Sequence, residues 1–93
     1  MSEKIVLTTQ FKKQPRRDRL ALIVSMLDEM RQPTRKSHLI YKCQITYPIL
    51  IRELNALLRA GCIEEVQHYV YHSTEKGKLL AEMLGAMLQV MVE

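Results

Sequence analysis

The sequence predicts a mainly α-helical domain with one small β-hairpin and an added C-terminal helix. Three segments with apolar residues at helical spacing come first, two short β-prone runs follow them, and a fourth apolar helical segment completes the chain. The chain has 93 residues, 47% hydrophobic and 26% charged, which is typical of one globular domain and excludes a two-domain enzyme. A domain of this size buries only about 60 to 65% of its unfolded surface, so self-association would add stability.

The chain is basic, and its positive charge is concentrated in the first half. It carries 14 Lys and Arg against 10 Asp and Glu, a net charge of +4. Residues 1–52 hold 11 basic and 4 acidic side chains, whereas residues 53–93 hold 3 basic and 6 acidic ones. Because a basic surface favours polyanionic partners, we expect the first half of the chain to meet such a partner.

The apolar runs are too short for a signal peptide or a membrane span, so we expect a cytoplasmic protein with no membrane partner. Cys43 and Cys62 have no Cys or His neighbour at a recognisable metal-ligand spacing. We therefore expect two buried thiols rather than a disulfide framework, and neither a metal nor a cofactor.

The first segments are a basic arm and a helix. Residues 1–15 lack a helical period and are rich in lysine, so we expect a flexible basic arm, with an ordinary solvated tail as the alternative. Residues 17–32 contain neither Gly nor Pro and are predicted to be helical. The predicted core face of this helix comprises Leu20, Ile23, Val24 and Leu27. A second apolar face, available for self-association, comprises Leu22, Met26 and Met30.

A short second helix and a longer third helix are predicted around a tight turn. Thr34 is expected to cap the second helix, residues 35–43, and Gln44 and Ile45 form the turn. Thr46 is expected to cap the third helix, which ends at Gly61. Apolar residues cover one side of the third helix, and the other side carries Pro48, Ile49, Arg52, Asn55, Ala56 and Arg59. These segments make a helix-turn-helix unit.

Residues 62–66 and 69–72 are β-prone and flank a two-residue tip at Gln67 and His68, which predicts a β-hairpin. Three helices followed by a hairpin are the order of a winged helix-turn-helix domain, here residues 16–73. Residues 74–93 are predicted to form a last helix, capped by Ser73 or Thr74. Because this helix is apolar nearly all round, we expect it to be a dimerisation helix. The expected interface residues are Leu80, Met83, Leu84, Met87, Leu88 and Met91.

Several short motifs follow one another between residues 17 and 84. They are Thr34-Arg35-Lys36-Ser37, Ile40-Tyr41-Lys42, Ile45-Thr46-Tyr47, Leu57-Leu58-Arg59-Ala60-Gly61-Cys62-Ile63 and Thr74-Glu75-Lys76-Gly77. In this order they resemble small archaeal winged-helix DNA-binding proteins of the ten-a type, which are chromatin and regulator proteins. The resemblance implies duplex DNA as the partner and homodimers joined by antiparallel C-terminal helices. The chain departs from the family after Tyr47, where apolar residues replace polar or basic ones.

The candidate DNA-binding residues follow from placing the third helix in the major groove. Arg52 could then reach guanine acceptors and Ile49 a thymine methyl group, with Asn55 and Arg59 farther along the helix. Arg35, Lys36 and Lys42 bracket the second helix, where phosphate contact is expected. Tyr47 begins the third helix, and His68 at the hairpin tip could approach a groove or a phosphate. The alternatives are ordinary surface residues and, for the tyrosines, packing at the edge of the core.

No catalytic triad, Gly-rich phosphate loop or zinc-protease motif can be assembled from the sequence, so we expect neither an enzyme nor a small-molecule substrate. The sequence favours a homodimeric winged-helix protein that binds double-stranded DNA and regulates transcription. The alternatives are a winged-helix module for protein contact through Pro48 and Ile49, and a non-specific chromatin protein.

Overall fold

The computed structural model describes residues 16–92, which form four helices and one small sheet. Helix α1 is Arg16–Glu29, α2 is Lys36–Cys43, α3 is Tyr47–Arg59 and α4 is Glu75–Val92. Strands β1 (Thr34–Arg35), β2 (Ile63–Gln67) and β3 (Val70–Ser73) form an antiparallel sheet with β3 in the middle. The predicted order of three helices, a hairpin and a fourth helix is confirmed, and the basic arm predicted for residues 1–15 lies outside the described residues.

Strand β1 was not predicted, and in it Thr34 bonds back to the end of α1 and the following turn instead of capping α2. The Thr34 hydroxyl oxygen lies 2.7 Å from the carbonyl oxygens of both Glu29 and Gln32, and either can accept its single proton. Thr34 and Arg35 then pair with β3. The N-cap of α2 is Arg35, with no side-chain hydrogen bond. The prediction that Thr34 caps the second helix is therefore wrong.

Helix α1 buries its second apolar face together with Leu27 of the predicted core face. Met26 and Met30 are completely buried and Leu22 is nearly so, whereas Leu20 and Val24 are only half-buried. The second apolar face therefore packs in the chain's own core, and the prediction that it is available for self-association is wrong. Helices α2 and α4 both contact α1, so apolar residues on more than one side of α1 are covered. The other buried apolar residues of the core are Leu27, Leu39, Leu50, Leu54, Leu57, Cys62, Ile63, Tyr71 and Ala81.

The helix-turn-helix unit forms as predicted. Gln44 has a left-handed φ of 55°, and its N–H donates to the Ile40 carbonyl, which reverses the chain tightly after α2. Thr46 is the N-cap of α3, but its side chain makes no capping hydrogen bond, and Pro48 lies in the first turn. Gly61 follows α3 with a φ of 76°, a conformation that favours glycine.

The hairpin of β2 and β3, here called the wing, turns one residue later than predicted, at His68 and Tyr69. Gln67 of β2 and Arg35 of β1 both pair with Val70 of β3, so the three strands end at the same level. Tyr69 has a φ of 67°, and its N–H donates to Glu65 Oε2 at 2.9 Å. The wing therefore projects beyond the sheet by its two turn residues alone.

Helix α4 begins directly after β3 and packs against α1. Thr74 caps it, because the Thr74 hydroxyl accepts the Gly77 N–H at 3.2 Å and donates to the Gly61 carbonyl at 2.7 Å. Ser73, the other predicted cap, is buried and donates to the Leu27 carbonyl at 2.8 Å. The first turn of α4 is thereby tied to the end of α3 and the start of the wing.

Candidate nucleic-acid interface

The exposed side of α3 is a stripe of mostly polar residues that runs the length of the helix. Pro48, Arg52, Asn55 and Arg59, here called the α3 stripe, are exposed and recur at helical spacing. The opposite side of α3 is buried. Ile49, predicted to be exposed beside the stripe, is half-buried and packs against the core. The α3 stripe is therefore the part of the helix that can enter a DNA groove.

The guanidinium group of Arg52 is held by a buried carboxylate on the same helix. Glu53 is 0% exposed and accepts hydrogen bonds from Arg52 Nε and Nη2, both to Oε2, at 3.1 and 2.7 Å. Arg19 of α1 donates to the same carboxylate, from Nε to Oε2 at 2.9 Å and from Nη2 to Oε1 at 3.2 Å. These three residues, the Arg19–Glu53–Arg52 cluster, connect the first turns of α1 to α3.

The charge state of the cluster is fixed by its own hydrogen bonds. Burial by itself would raise the pKa of Glu53, but the hydrogen bonds and positive charges of Arg19 and Arg52 outweigh it, and the pKa is lowered. The hydrogen bond and the charge of Glu53 likewise raise the pKa of Arg19. The cluster therefore carries two positive charges and one negative charge at neutral pH.

The sequence-based prediction missed Glu53, although the sequence contains a signal for it. Glu53 lies three residues after Leu50 and four before Leu57, on the apolar side of the predicted third helix. A carboxylate at such a position needs a cationic partner, because an unpaired buried charge is strongly unfavourable. Periodicity does not show which cation supplies the pairing, since Arg19 is 34 positions away along the chain.

A shallow groove of about 350 Å³ lies beside the α3 stripe, between the start of α2, the start of α3 and the wing turn. The Lys36 ammonium is 4.9 Å from the centre of the Tyr69 ring and 5.9 Å from that of Tyr47, within cation–π range. The backbone N–H of Lys36 donates to the backbone carbonyl of Tyr69 at 3.2 Å, and this hydrogen bond joins the wing turn to α2. Arg35 and Ser37 complete the groove, so it is cationic and aromatic.

The structure thus brings Arg35, Lys36 and Tyr47 together, with Tyr69 as an addition that the sequence did not indicate. His68 stacks its ring against Tyr69, with 3.8 Å between the ring centres. Lys42 is exposed near the other end of α2 and is not part of this group. The expectation that the tyrosines pack at the edge of the core is wrong for Tyr41, Tyr47 and Tyr69, which are more than half exposed, whereas Tyr71 is buried.

The other His, Cys, Asp and Glu side chains of the described chain form no cluster suited to a metal ion. Within residues 16–92, no three His, Cys, Asp or Glu side chains are close enough together to hold a metal ion. His38 Nε2 lies 3.1 Å from Glu29 Oε1, and His72 Nε2 lies 3.1 Å from the Arg31 carbonyl oxygen. Both cysteines are free, and burial, together with the charge of Glu29, raises the pKa of Cys43. None of the described helices has the length and apolar character needed to cross a membrane.

The outer side of α4 is apolar and exposed. Leu79, Met83, Met87 and Val90, here called the α4 stripe, are each more than half exposed. The structure divides the predicted dimer residues between two sides of this helix. Met83 and Met87 belong to the α4 stripe, whereas Leu80, Leu84 and Leu88 are half-buried, with Leu80 packed against the core. The side chain of Met91 lies outside the described part of the chain.

Comparison with known proteins agrees with this architecture. A family model described as winged helix-turn-helix matches residues 16–92, which is most of the chain. The chain therefore belongs to the winged helix-turn-helix family, and its four helices, three-stranded sheet and wing are those of that fold. No curated protein matches the chain.

Proposed function

We propose that the chain is a transcription regulator that binds double-stranded DNA as a homodimer, with α3 in the major groove. The observation that supports this most directly is the α3 stripe, which is exposed along the second helix of a helix-turn-helix unit in a winged helix-turn-helix protein. In helix-turn-helix proteins this helix reads base edges while the preceding helix crosses the backbone. Our proposal includes a cytoplasmic location and a binding role without catalysis, as expected from the sequence.

Cationic groups flank the α3 stripe where the sugar-phosphate backbone would pass. Arg35 and Lys36 lie at the start of α2 beside the wing turn, and Ser37 and Tyr47 add hydroxyl groups to the same groove. Contacts of this kind fix the position of a protein on the duplex, and base contacts then supply sequence preference. We assign the phosphate contacts to this groove and to Lys42, and the contacts inside the major groove to Asn55 and Arg59.

The protein-contact alternative is less well supported, because its apolar corner is incomplete. Ile49 packs against the core of its own chain, which leaves Pro48 as the exposed residue of the predicted Pro48 and Ile49 corner. A single proline offers little area for a protein partner. The cations at the groove, in contrast, are complementary in charge to a polyanion.

The test is a binding titration with fluorescent 20-base-pair duplexes at several salt concentrations. We expect binding that weakens steeply between about 50 and 200 mM salt, because phosphate contacts release counterions. Arg52→Ala should weaken binding at least several-fold. Lys76→Ala is the control, because Lys76 is exposed on α4, which begins at the end of β3 opposite the wing turn. A duplex affinity that does not change with salt, or equal effects of the two variants, would contradict the proposal.

Regulation is distinguished from general DNA coating by sequence preference. Selection of bound duplexes from a random pool should enrich one sequence, because each mismatched base pair in a specific site costs about 1 to 3 kcal/mol. A pool that stays random after selection would instead indicate the non-specific chromatin protein.

The α4 stripe supports the homodimer. Helix α4 already packs its other side against α1, so the stripe has no cover within the described part of the subunit. An antiparallel pair of α4 helices from two copies would bury it, because a second copy offers the same apolar residues at the same spacing. A twofold dimer would present two α3 helices to one duplex.

A further inference from the structure

We propose that Arg19 and Arg52, held side by side by the buried carboxylate of Glu53, form a clamp for one phosphodiester group of the DNA backbone. This inference rests on the proposed DNA-binding function and names a site within it. Arg52 thereby becomes a backbone contact rather than a reader of guanine. Glu53 is a positioning residue, because it acts on DNA through the two arginines.

The first argument is the geometry of the two guanidinium groups. Each arginine uses Nε and Nη2 on the carboxylate, so one edge of each guanidinium group faces Glu53. Nη1 of each makes no hydrogen bond within the described residues, and a guanidinium group has five N–H donors in a fixed plane. The outer edges of both groups can therefore donate in pairs to the oxygens of a phosphate.

The second argument is the charge of the cluster. Two guanidinium groups share Oε2 of one carboxylate, so like charges lie side by side with a net charge of +1. The carboxylate is 0% exposed, while the arginine side chains are 49% and 52% exposed. Solvent thus meets the positive part of the cluster and not the negative part. A phosphodiester carries a charge of −1 and would bring the whole group to neutrality.

The third argument is position. Arg52 belongs to the α3 stripe, and Arg19 lies near the start of α1, so the clamp bridges two helices at the edge of the stripe. A helix in the major groove is bordered by the phosphates of the two strands. A phosphate at the edge of the groove would therefore meet both arginines while Asn55 and Arg59 face the bases.

The experiment compares Glu53→Gln with Glu82→Gln in the duplex titration, at a temperature where circular dichroism shows that both variants are folded. Both substitutions remove one negative charge, and Glu82 is exposed on α4. If charge alone mattered, both variants would bind DNA as tightly as the parent or more tightly. The clamp predicts that Glu53→Gln binds about tenfold more weakly, because the arginines lose their fixed orientation.

A second pair of variants tests the clamp even if the Glu53→Gln protein does not fold. Arg19→Lys conserves the charge but cannot donate in a planar pair, so we expect a loss of about fivefold or more. Arg31→Lys, two residues beyond the far end of α1, should leave the affinity unchanged. The loss for Arg19→Lys should be the same for duplexes of different sequence, as expected for a phosphate contact.

The outcomes separate the clamp from the proposed function. A parent protein that shows no salt-dependent duplex binding contradicts both. A parent that binds, with Glu53→Gln and Arg19→Lys equal to their controls, contradicts the clamp alone. A loss that depends on duplex sequence assigns the cluster to base contact and also overturns the phosphate clamp.

Discussion

Glu53 is a buried carboxylate whose charge is balanced by two half-exposed arginines, and this makes its contribution to stability dependent on pH. The pKa of Glu53 is lowered in the folded state, so the folded protein holds its proton less strongly than the unfolded chain does. The stabilisation is therefore complete above the ordinary Glu pKa of about 4.3 and is lost as the pH falls through the lower folded value.

Urea unfolding of the parent and of Glu53→Gln tests this dependence. At pH 7 we expect the variant to lose about 2 kcal/mol of unfolding free energy, below the range for fully buried pairs because the arginines are half-exposed. The difference between the two proteins should shrink as the pH falls below about 4. A difference that is the same at pH 7 and pH 3 would show that the carboxylate charge does not stabilise the fold.

The two glycines of α4 differ in the space that each leaves for a side chain. At Gly77 an added Cβ would overlap the backbone carbonyl of Cys62, whereas at Gly85 nothing lies within 4 Å of it. We expect Gly77→Ala to lose more than about 2 kcal/mol, and Gly85→Ala to gain about 0.5 to 1 kcal/mol because alanine favours the helix. Thermal melts should move in opposite directions, and a rise for both variants would contradict the close contact.

Among the elements, the turn between α2 and α3 contains backbone strain that glycine can relieve. Gln44 is exposed and has a φ of 55°, a conformation that costs an ordinary residue about 1 kcal/mol or more. Gln44→Gly should gain about 0.5 kcal/mol, because the greater freedom of glycine in the unfolded chain offsets part of the relief.

Ser37→Gly is the matched control for that substitution. Ser37 is an exposed residue in the first turn of α2, where glycine should cost up to about 0.5 kcal/mol. Melting temperatures of the two variants report the difference, and a loss for Gln44→Gly would show that the left-handed turn is not strained.

Helix positions, and the exposed side of α3, could be predicted because they depend on local periodicity. Leu50, Leu54 and Leu57 point inward and Arg52 outward on any helix with this spacing. The face that α1 buries could not be predicted, since both of its sides are apolar and the choice depends on contacts with α2 and α4. Strand β1 could not be predicted for a similar reason. Its two residues, Thr34 and Arg35, form a strand only because they pair with β3, which lies far along the chain.

Part of the candidate site could likewise be predicted from the sequence, and part could not. The cations at the start of α2 were visible in the sequence, but their association with Tyr69 depends on the position of the wing turn. That turn shifted by one residue because the pairing is irregular between Glu65 and Gln67, which periodicity alone does not reveal. The Arg19–Glu53–Arg52 cluster likewise depends on the packing of α1 on the rest of the chain.

For the whole molecule, the α4 stripe predicts the oligomeric state. We expect the parent to sediment as a dimer of its 10.9 kDa chain and Met87→Glu to sediment as a monomer, because a buried unpaired carboxylate is strongly unfavourable. Gln89→Glu is the control, because it adds the same negative charge at an exposed position outside the α4 stripe. A monomeric parent, or equal behaviour of the two variants, would contradict the dimer.

If the chain binds DNA as proposed, the short wing limits how much of a duplex one copy of the chain can protect. Gln67 and Arg35 pair with the same residue of β3, so the turn residues His68 and Tyr69 end almost level with the first turn of α2. A strand advances about 3.3 Å per residue, so such a tip cannot reach over the neighbouring backbone ridge and down to the floor of the next groove. Nuclease digestion of a bound duplex should therefore leave the flanking minor grooves open to cleavage.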